Sequence, residues 1–215
     1  MSDVLKILRL ISRQSKAYDV PSVTLVSYGG DPYQVLVSCL LSLRTRDKTT
    51  IEASRRLFKV AKTPEDMLKL SLGMIRRLIY PVGFYRNKGK VILEASRRIV
   101  DEYSGKVPSG LDELLDFRGV GRKTANLVLG LGFRKPAICV DTHVHRISNR
   151  LGWVRTHSPE NTEIALRKII PRKYWIKLNT LLVAFGQNLC LPLSPLCSEC
   201  PVYSLCKRTG VIKYR

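Results

Sequence analysis

Residues 110–132 read GLDELLDFRGVGRKTANLVLGLG, two short apolar helices around one tight turn. Ser109 stands at the expected N-cap of the first helix. Asp112 and Glu113 follow in its first turn, where carboxylates suit the positive end of the helix dipole. That helix stops at Gly119-Val120-Gly121, and a second begins at Arg122. Two glycines around a small apolar residue predict a sharp turn with Val120 plugged between the helices. Backbone N–H groups of the turn and of the next helical residues then point outward together. Such a group binds an anion, for example a DNA phosphate, without reading base sequence. A helix–helix turn with no ligand has the same local pattern. Lys123 lies in the first turn of the second helix: deprotonated, its amine is a nucleophile able to form a Schiff base; protonated, it contacts phosphate.

Eighteen residues after Lys123 the chain reads Val140-Asp141-Thr142-His143, where an apolar run turns polar just before an amphipathic stretch to Leu151. Asp141 or Thr142 suits a helix N-cap. A carboxylate held ionised and aimed by capping is also suited to a reactive cleft, so the two readings do not exclude one another. His143 and His145 diverge on a helix and make a poor metal pair; they are read as structural or DNA-facing.

Outward from these motifs the hydrophobic period is helical almost everywhere. Val4, Ile7, Leu8 and Ile11 mark a helix over 3–17, and the nearly all-round apolar run Val35–Leu43 marks a buried central one. Asp47 is expected to cap a helix reaching Val60, and Pro64 to open the next. Further helices are expected over Lys88–Tyr103, from Ser158 to about Ile170, and over Tyr174–Asn188. Lys135–Val140 is β-branched but too isolated to build a sheet. The fold class is all-α, with about ten helices.

Near the C-terminus Cys190, Cys197, Cys200 and Cys206 are spaced C-x6-C-x2-C-x5-C. One tight hook with a single ligand looping in from each side suits a [4Fe–4S] cubane. Structural zinc, which usually takes two tight hooks, is the second reading, and disulfides the last. Cys39 and Cys139 sit in apolar runs and are read as buried thiols.

The chain has 215 residues and 45% hydrophobic content, enough for one large or two small domains. Lys and Arg outnumber Asp and Glu by 37 to 17, a formal charge of +20 that favours a polyanionic partner. No apolar run is long enough to span a membrane, and charges interrupt the N-terminal residues where a signal peptide needs its apolar stretch. A soluble, cytoplasmic, nucleoid-associated protein is expected.

Together, LDFRGVGRKTANLVL, the following VDTH and the four-cysteine pattern resemble endonuclease III, in the helix-hairpin-helix DNA glycosylase superfamily, over about Leu36 to Cys206. The resemblance implies a two-domain all-α fold with a DNA-binding cleft between the domains. One domain spans 22–132, with the hairpin at 111–132; the other is 1–21 plus 133–215, with a [4Fe–4S] loop at 190–206. By similarity Lys123 is the nucleophile and Asp141 the catalytic carboxylate of a bifunctional glycosylase and AP lyase. It would excise oxidised or saturated pyrimidines from double-stranded DNA, acting as a monomer. The expected DNA contacts are Arg118, Gly119, Val120, Gly121, Arg122 and Thr124 of the hairpin, together with His143. Arg44, in the gap-filling loop Leu40–Asp47, stands where the family usually has glutamine. Phe84 is the candidate apolar wedge, with a core aromatic as its other reading. Arg118 replaces a usual proline, and the loop between Cys190 and Cys197 lacks the family's basic residues, which Lys207, Arg208, Lys213 and Arg215 could replace. A monofunctional uracil or thymine mismatch glycosylase, which uses activated water without a hairpin lysine, is the nearest alternative. A non-catalytic iron–sulfur DNA-binding protein is the alternative from another class.

Overall fold

The structure, a computed structural model, describes residues 3–26 and 30–215. Met1, Ser2 and residues 27–29, which fall within the expected domain ranges, lie outside the described residues. Twelve α-helices and no strand occur among the described residues. The chain divides into two compact units, Ser22–Lys135, and Met1–Pro21 with Pro136–Arg215.

The unit Ser22–Lys135 is arranged around α3 (Pro32–Ser42), whose Val35, Leu36, Val37, Leu40 and Leu41 are all essentially inaccessible to solvent. Burial of that many branched side chains on one short helix, each contributing roughly 1.5–3 kcal/mol, makes α3 the axle of the unit. Asp31 caps it by accepting from the Gln34 N–H, with Pro32 in the first turn. Packed around it are α2 (Ser22–Val26), α4 (Asp47–Val60), α7 (Tyr85–Tyr103) and α9 (Arg122–Leu127). The short helices α5 (Pro64–Leu68), α6 (Leu72–Ile79) and α8 (Leu111–Leu115) complete the unit.

In the other unit α1 (Asp3–Gln14) packs on α12 (Trp175–Asn188), which also packs on α10 (Thr142–Leu151). Its core joins Ile7, Leu8 and Ile11 to Val144, Ile147, Leu182 and Phe185; α11 (Pro159–Ile169) adds Leu166.

Several local expectations are corrected. Asp47 is the first residue of α4 rather than its cap, and its carboxylate accepts from the Ser22 hydroxyl at 2.8 Å, tying α2 to α4. Ser109 does not cap α8, because Lys135 Nζ donates to its hydroxyl at 2.8 Å. Gly110 is the cap residue, and its N–H donates to Glu113 Oε2 at 2.9 Å. The helix expected over 3–17 changes to a 3-10 turn at Ser15–Ala17, and α7 starts three residues before Lys88.

Candidate functional site

The turn between α8 and α9 takes the expected form, and its two glycines prove unequal. Gly119 has φ +79°, a left-handed backbone that glycine alone adopts without cost, and Leu40 and Val91 flank the position of an added Cβ at 3.5 Å. Val120 is buried, and its N–H donates to Phe117 O at 3.0 Å, closing the turn. Gly121 has φ −98° and ψ 177°, open to any residue, and a Cβ there would meet nothing within 4 Å. Nothing among the described residues requires glycine at 121. α9 then begins with no side-chain cap at Gly121.

Lys123 is exposed in the first turn of α9, beside half-buried Arg122. Thr124 is buried, as is Val120, so neither side chain offers a surface to a ligand and only backbone remains there. Exposed Arg118 holds exposed Glu94 at 3.3 Å, a pair worth little in water and easily exchanged for a phosphate.

In the same unit Arg44 and Phe84 come together, with the guanidinium carbon 5.7 Å from the ring centroid. Both have left-handed backbone, φ 52° and 58°. Phe84 is 65% exposed, which overturns its reading as a core aromatic. Sequence reasoning missed Lys88, which lies beneath this pair and is only 7% exposed. Its ammonium donates to Leu41 O at 2.8 Å, to Leu43 O, and to Thr45 Oγ1 at 3.1 Å. Burial pulls its pKa down to about 8.

In the other unit Asp141 caps α10, accepting from the N–H groups of His143 and Val144, both at 2.9 Å and both through Oδ1. Oδ2 accepts no hydrogen bond among the described residues. The carboxylate is thus both a cap and a half-buried group with one oxygen to spare. His143 Nδ1 lies 3.1 Å from Arg146 Nη2, and His145 Nδ1 lies 2.7 Å from Thr162 Oγ1, so each histidine has a partner of its own.

Cys190, Cys197, Cys200 and Cys206 line one pocket, none of them in a disulfide. Burial pushes the Cys200 thiol up to about 11, and burial first, then the neighbouring thiols, raise Cys197 and Cys206. Four thiolates here need a cationic centre. Four thiols lining one pocket are the donor set that an iron–sulfur centre takes. Two arginines of α10, also missed in the sequence, hold the loop in place. Arg150 donates to Leu191 O at 2.6 Å, Pro192 O at 2.7 Å and Cys190 Sγ at 3.4 Å, and Arg146 donates to Cys190 O at 2.9 Å. The loop's lack of basic residues is therefore accompanied by arginines reaching it from beneath. Arg208, from the basic tail, covers the Tyr203 ring at 4.2 Å beside the pocket.

Residues 37–172 match the family model for the HhH-GPD superfamily of base excision DNA repair proteins. Endonuclease III of Thermotoga maritima is 51% identical over 177 residues, covering 82% of this chain and 83% of that protein. The chain belongs to the endonuclease III family. Among solved structures, a trapped endonuclease III–DNA covalent intermediate in an estranged-adenine complex superposes with a TM-score of 0.84 at 34% identity, covering 97% of each chain. A thermostable thymine-DNA glycosylase superposes with a TM-score of 0.82 at 26% identity, covering 95% of this chain and 94% of that one. The all-α architecture is thus the endonuclease III fold, and among the described residues no helix is long and apolar enough to cross a membrane.

Proposed function

We propose that this base excision repair protein, a DNA glycosylase with AP lyase activity, removes oxidised or saturated pyrimidines from duplex DNA through a Schiff base on Lys123. The observation that carries the reading is an exposed lysine in the first turn of an uncapped helix, directly after a turn whose second glycine has no internal reason to be glycine. A relative of the same fold was trapped as a covalent intermediate with DNA, and Lys123 is the amine of this chain suited to that bond.

The damaged nucleotide leaves the duplex, at least cost when its base already stacks poorly. The neutral amine of Lys123 attacks C1′ and the C1′–N bond to the base breaks, the electron pair leaving with the base. Asp141, aimed by its two N–H bonds, stabilises the positive charge that develops on the sugar or takes the proton from Lys123. Ring opening gives an iminium between Nζ and C1′, which acidifies the C2′ hydrogens. Loss of one of these protons expels the 3′ phosphate by β-elimination, and water then hydrolyses the imine to free the lysine.

Arg44 and Phe84 suit the space vacated by the extruded nucleotide, as a polar group and a wedge. The hairpin backbone with Arg118 and Arg122 suits the phosphates, and His143 suits the strand near Asp141. Cys190, Cys197, Cys200 and Cys206 would hold a [4Fe–4S] cluster. When bound, that group would supply a rigid cross-link that closes the segment from the end of α12 to Cys206.

The test is a panel of duplexes at one salt concentration. Cleavage without alkali at thymine glycol, leaving an unsaturated sugar at the 3′ end, is expected. Likeness to a thymine-DNA glycosylase favours a second reading, excision of thymine or uracil opposite guanine. Strand breaks at G·T or G·U that need added alkali, with none at thymine glycol, would replace the first reading by the second.

A further inference from the structure

The buried ammonium of Lys88 has no place in the chemistry above. Lys88 belongs to α7, one turn beyond Phe84, and its own N–H donates to Phe84 O at 3.0 Å. Its side chain runs back under the loop that carries Phe84 to the end of α3. There Leu41 and Leu43 present carbonyls, at a terminus where helix carbonyls lack partners. The third acceptor, Thr45 Oγ1, also accepts from the Gly83 N–H at 3.2 Å, while the Thr45 hydroxyl lies 3.2 Å from Leu43 O.

Through its backbone N–H to Phe84 O and its ammonium to Leu41, Leu43 and Thr45, Lys88 thus joins two loops that are far apart in sequence. The loops are already in contact at the backbone, since a Cβ on Gly83 would lie 2.5 Å from Arg44 O. α4 fastens the second loop from another side, where Arg56 donates to Leu78 O at 2.9 Å and to Tyr80 O. An apolar side chain could fill the Lys88 site without the cost of desolvating a charge. What it could not do is satisfy three oxygens that converge from one helix end and one turn. At the tips of these loops stand Arg44 and Phe84, both exposed and both with left-handed backbone.

We propose that Lys88 is a positioning residue for duplex intrusion, clamping the Arg44 and Phe84 loops into one preformed unit that enters the gap beside an extruded nucleotide. The proposal rests on the function proposed above, deepening it from which residues enter DNA to what holds them ready. A preformed wedge spends no binding energy on ordering two loops at the moment of insertion. Lys88 touches neither DNA nor the reacting atoms in this account.

The experiment uses the full-length protein and a duplex carrying a tetrahydrofuran abasic analogue, with 2-aminopurine as the neighbouring base. The analogue cannot form a Schiff base, so the signal reports intrusion apart from chemistry. Wild type is expected to raise the fluorescence as the neighbouring stack opens. Lys88→Met is expected to weaken binding about tenfold and to lose at least half of that rise. Its loss in borohydride trapping is expected to be at least fivefold greater on an abasic duplex than on an abasic single strand, where no stack has to be entered. Thr45→Val removes the oxygen shared with Gly83 and is expected to show the same pattern; it decides the matter if Lys88→Met fails to fold. Folded variants with wild-type fluorescence and affinity would overturn the proposal, as would equal losses on duplex and single strand. If wild type neither cleaves nor traps any damaged duplex, the proposed function fails instead, which the fluorescence result leaves distinguishable.

Discussion

Two side chains carry the account at the residue scale, and each gives a separate measurement. Asp141 was legible as a cap from its place before an amphipathic run, and it is one, with Oδ1 engaged and Oδ2 left over. Asn caps a helix about as well as Asp, so Asp141→Asn should leave the thermal midpoint nearly unchanged. Base excision should fall by roughly 10²–10⁴, the usual size of a lost proton-transfer or charge-stabilising group; excision within a fewfold of wild type would make Asp141 merely structural. Lys88 was illegible, because a lone lysine in a basic helix looks like solvated surface until the chain folds over it. Its folded pKa of about 8 lies below its ordinary 10.5. Between these values the unfolded chain holds a proton that the folded one has released. Stability of wild type relative to Lys88→Met should therefore rise as pH climbs from about 8 to about 10.5, by up to about 1.4 kcal/mol per pH unit. A flat difference across that window in urea titrations would mean that the ammonium is not desolvated.

At the scale of elements, the hairpin is where sequence reading reached furthest, because glycine, a plugging valine and two short apolar runs leave little choice of local structure. It could not separate the two glycines. Gly119 is fixed by its own backbone, so Gly119→Ala should cost about 1 kcal/mol or more of stability. Gly121→Ala meets no obstacle in the protein and should leave stability within about 0.5 kcal/mol. It should nonetheless weaken duplex binding severalfold, because the added methyl stands where backbone would approach phosphate; unchanged affinity would remove this turn from the interface. Helix limits were less legible where a side chain had a better offer elsewhere. Ser109 is drawn to Lys135, and Asp47 to Ser22; neither partner is adjacent in sequence. The loops bearing Arg44 and Phe84 could be read only as two separate candidates, since their pairing depends on a contact across the fold.

For the whole molecule, family membership and the all-α class were written in the order of three motifs and in a helical period almost without interruption. The two arginines of α10 were not, because the need for Arg146 and Arg150 arises only when a carbonyl-rich loop lands on α10. If that loop encloses an iron–sulfur centre, Cys200→Ser should lower the thermal midpoint and abolish the visible charge-transfer absorption of the purified protein. A colourless wild type holding one zinc would overturn the assignment, since zinc is closed-shell. The central claim is that the whole arrangement delivers one amine to a deoxyribose carbon. Borohydride reduction during turnover on a thymine-glycol duplex, followed by peptide mapping of the cross-linked protein, tests it most directly. The account predicts a single adduct on Lys123 that is absent from Lys123→Ala; an adduct that persists in that variant, or maps to another residue, would contradict it.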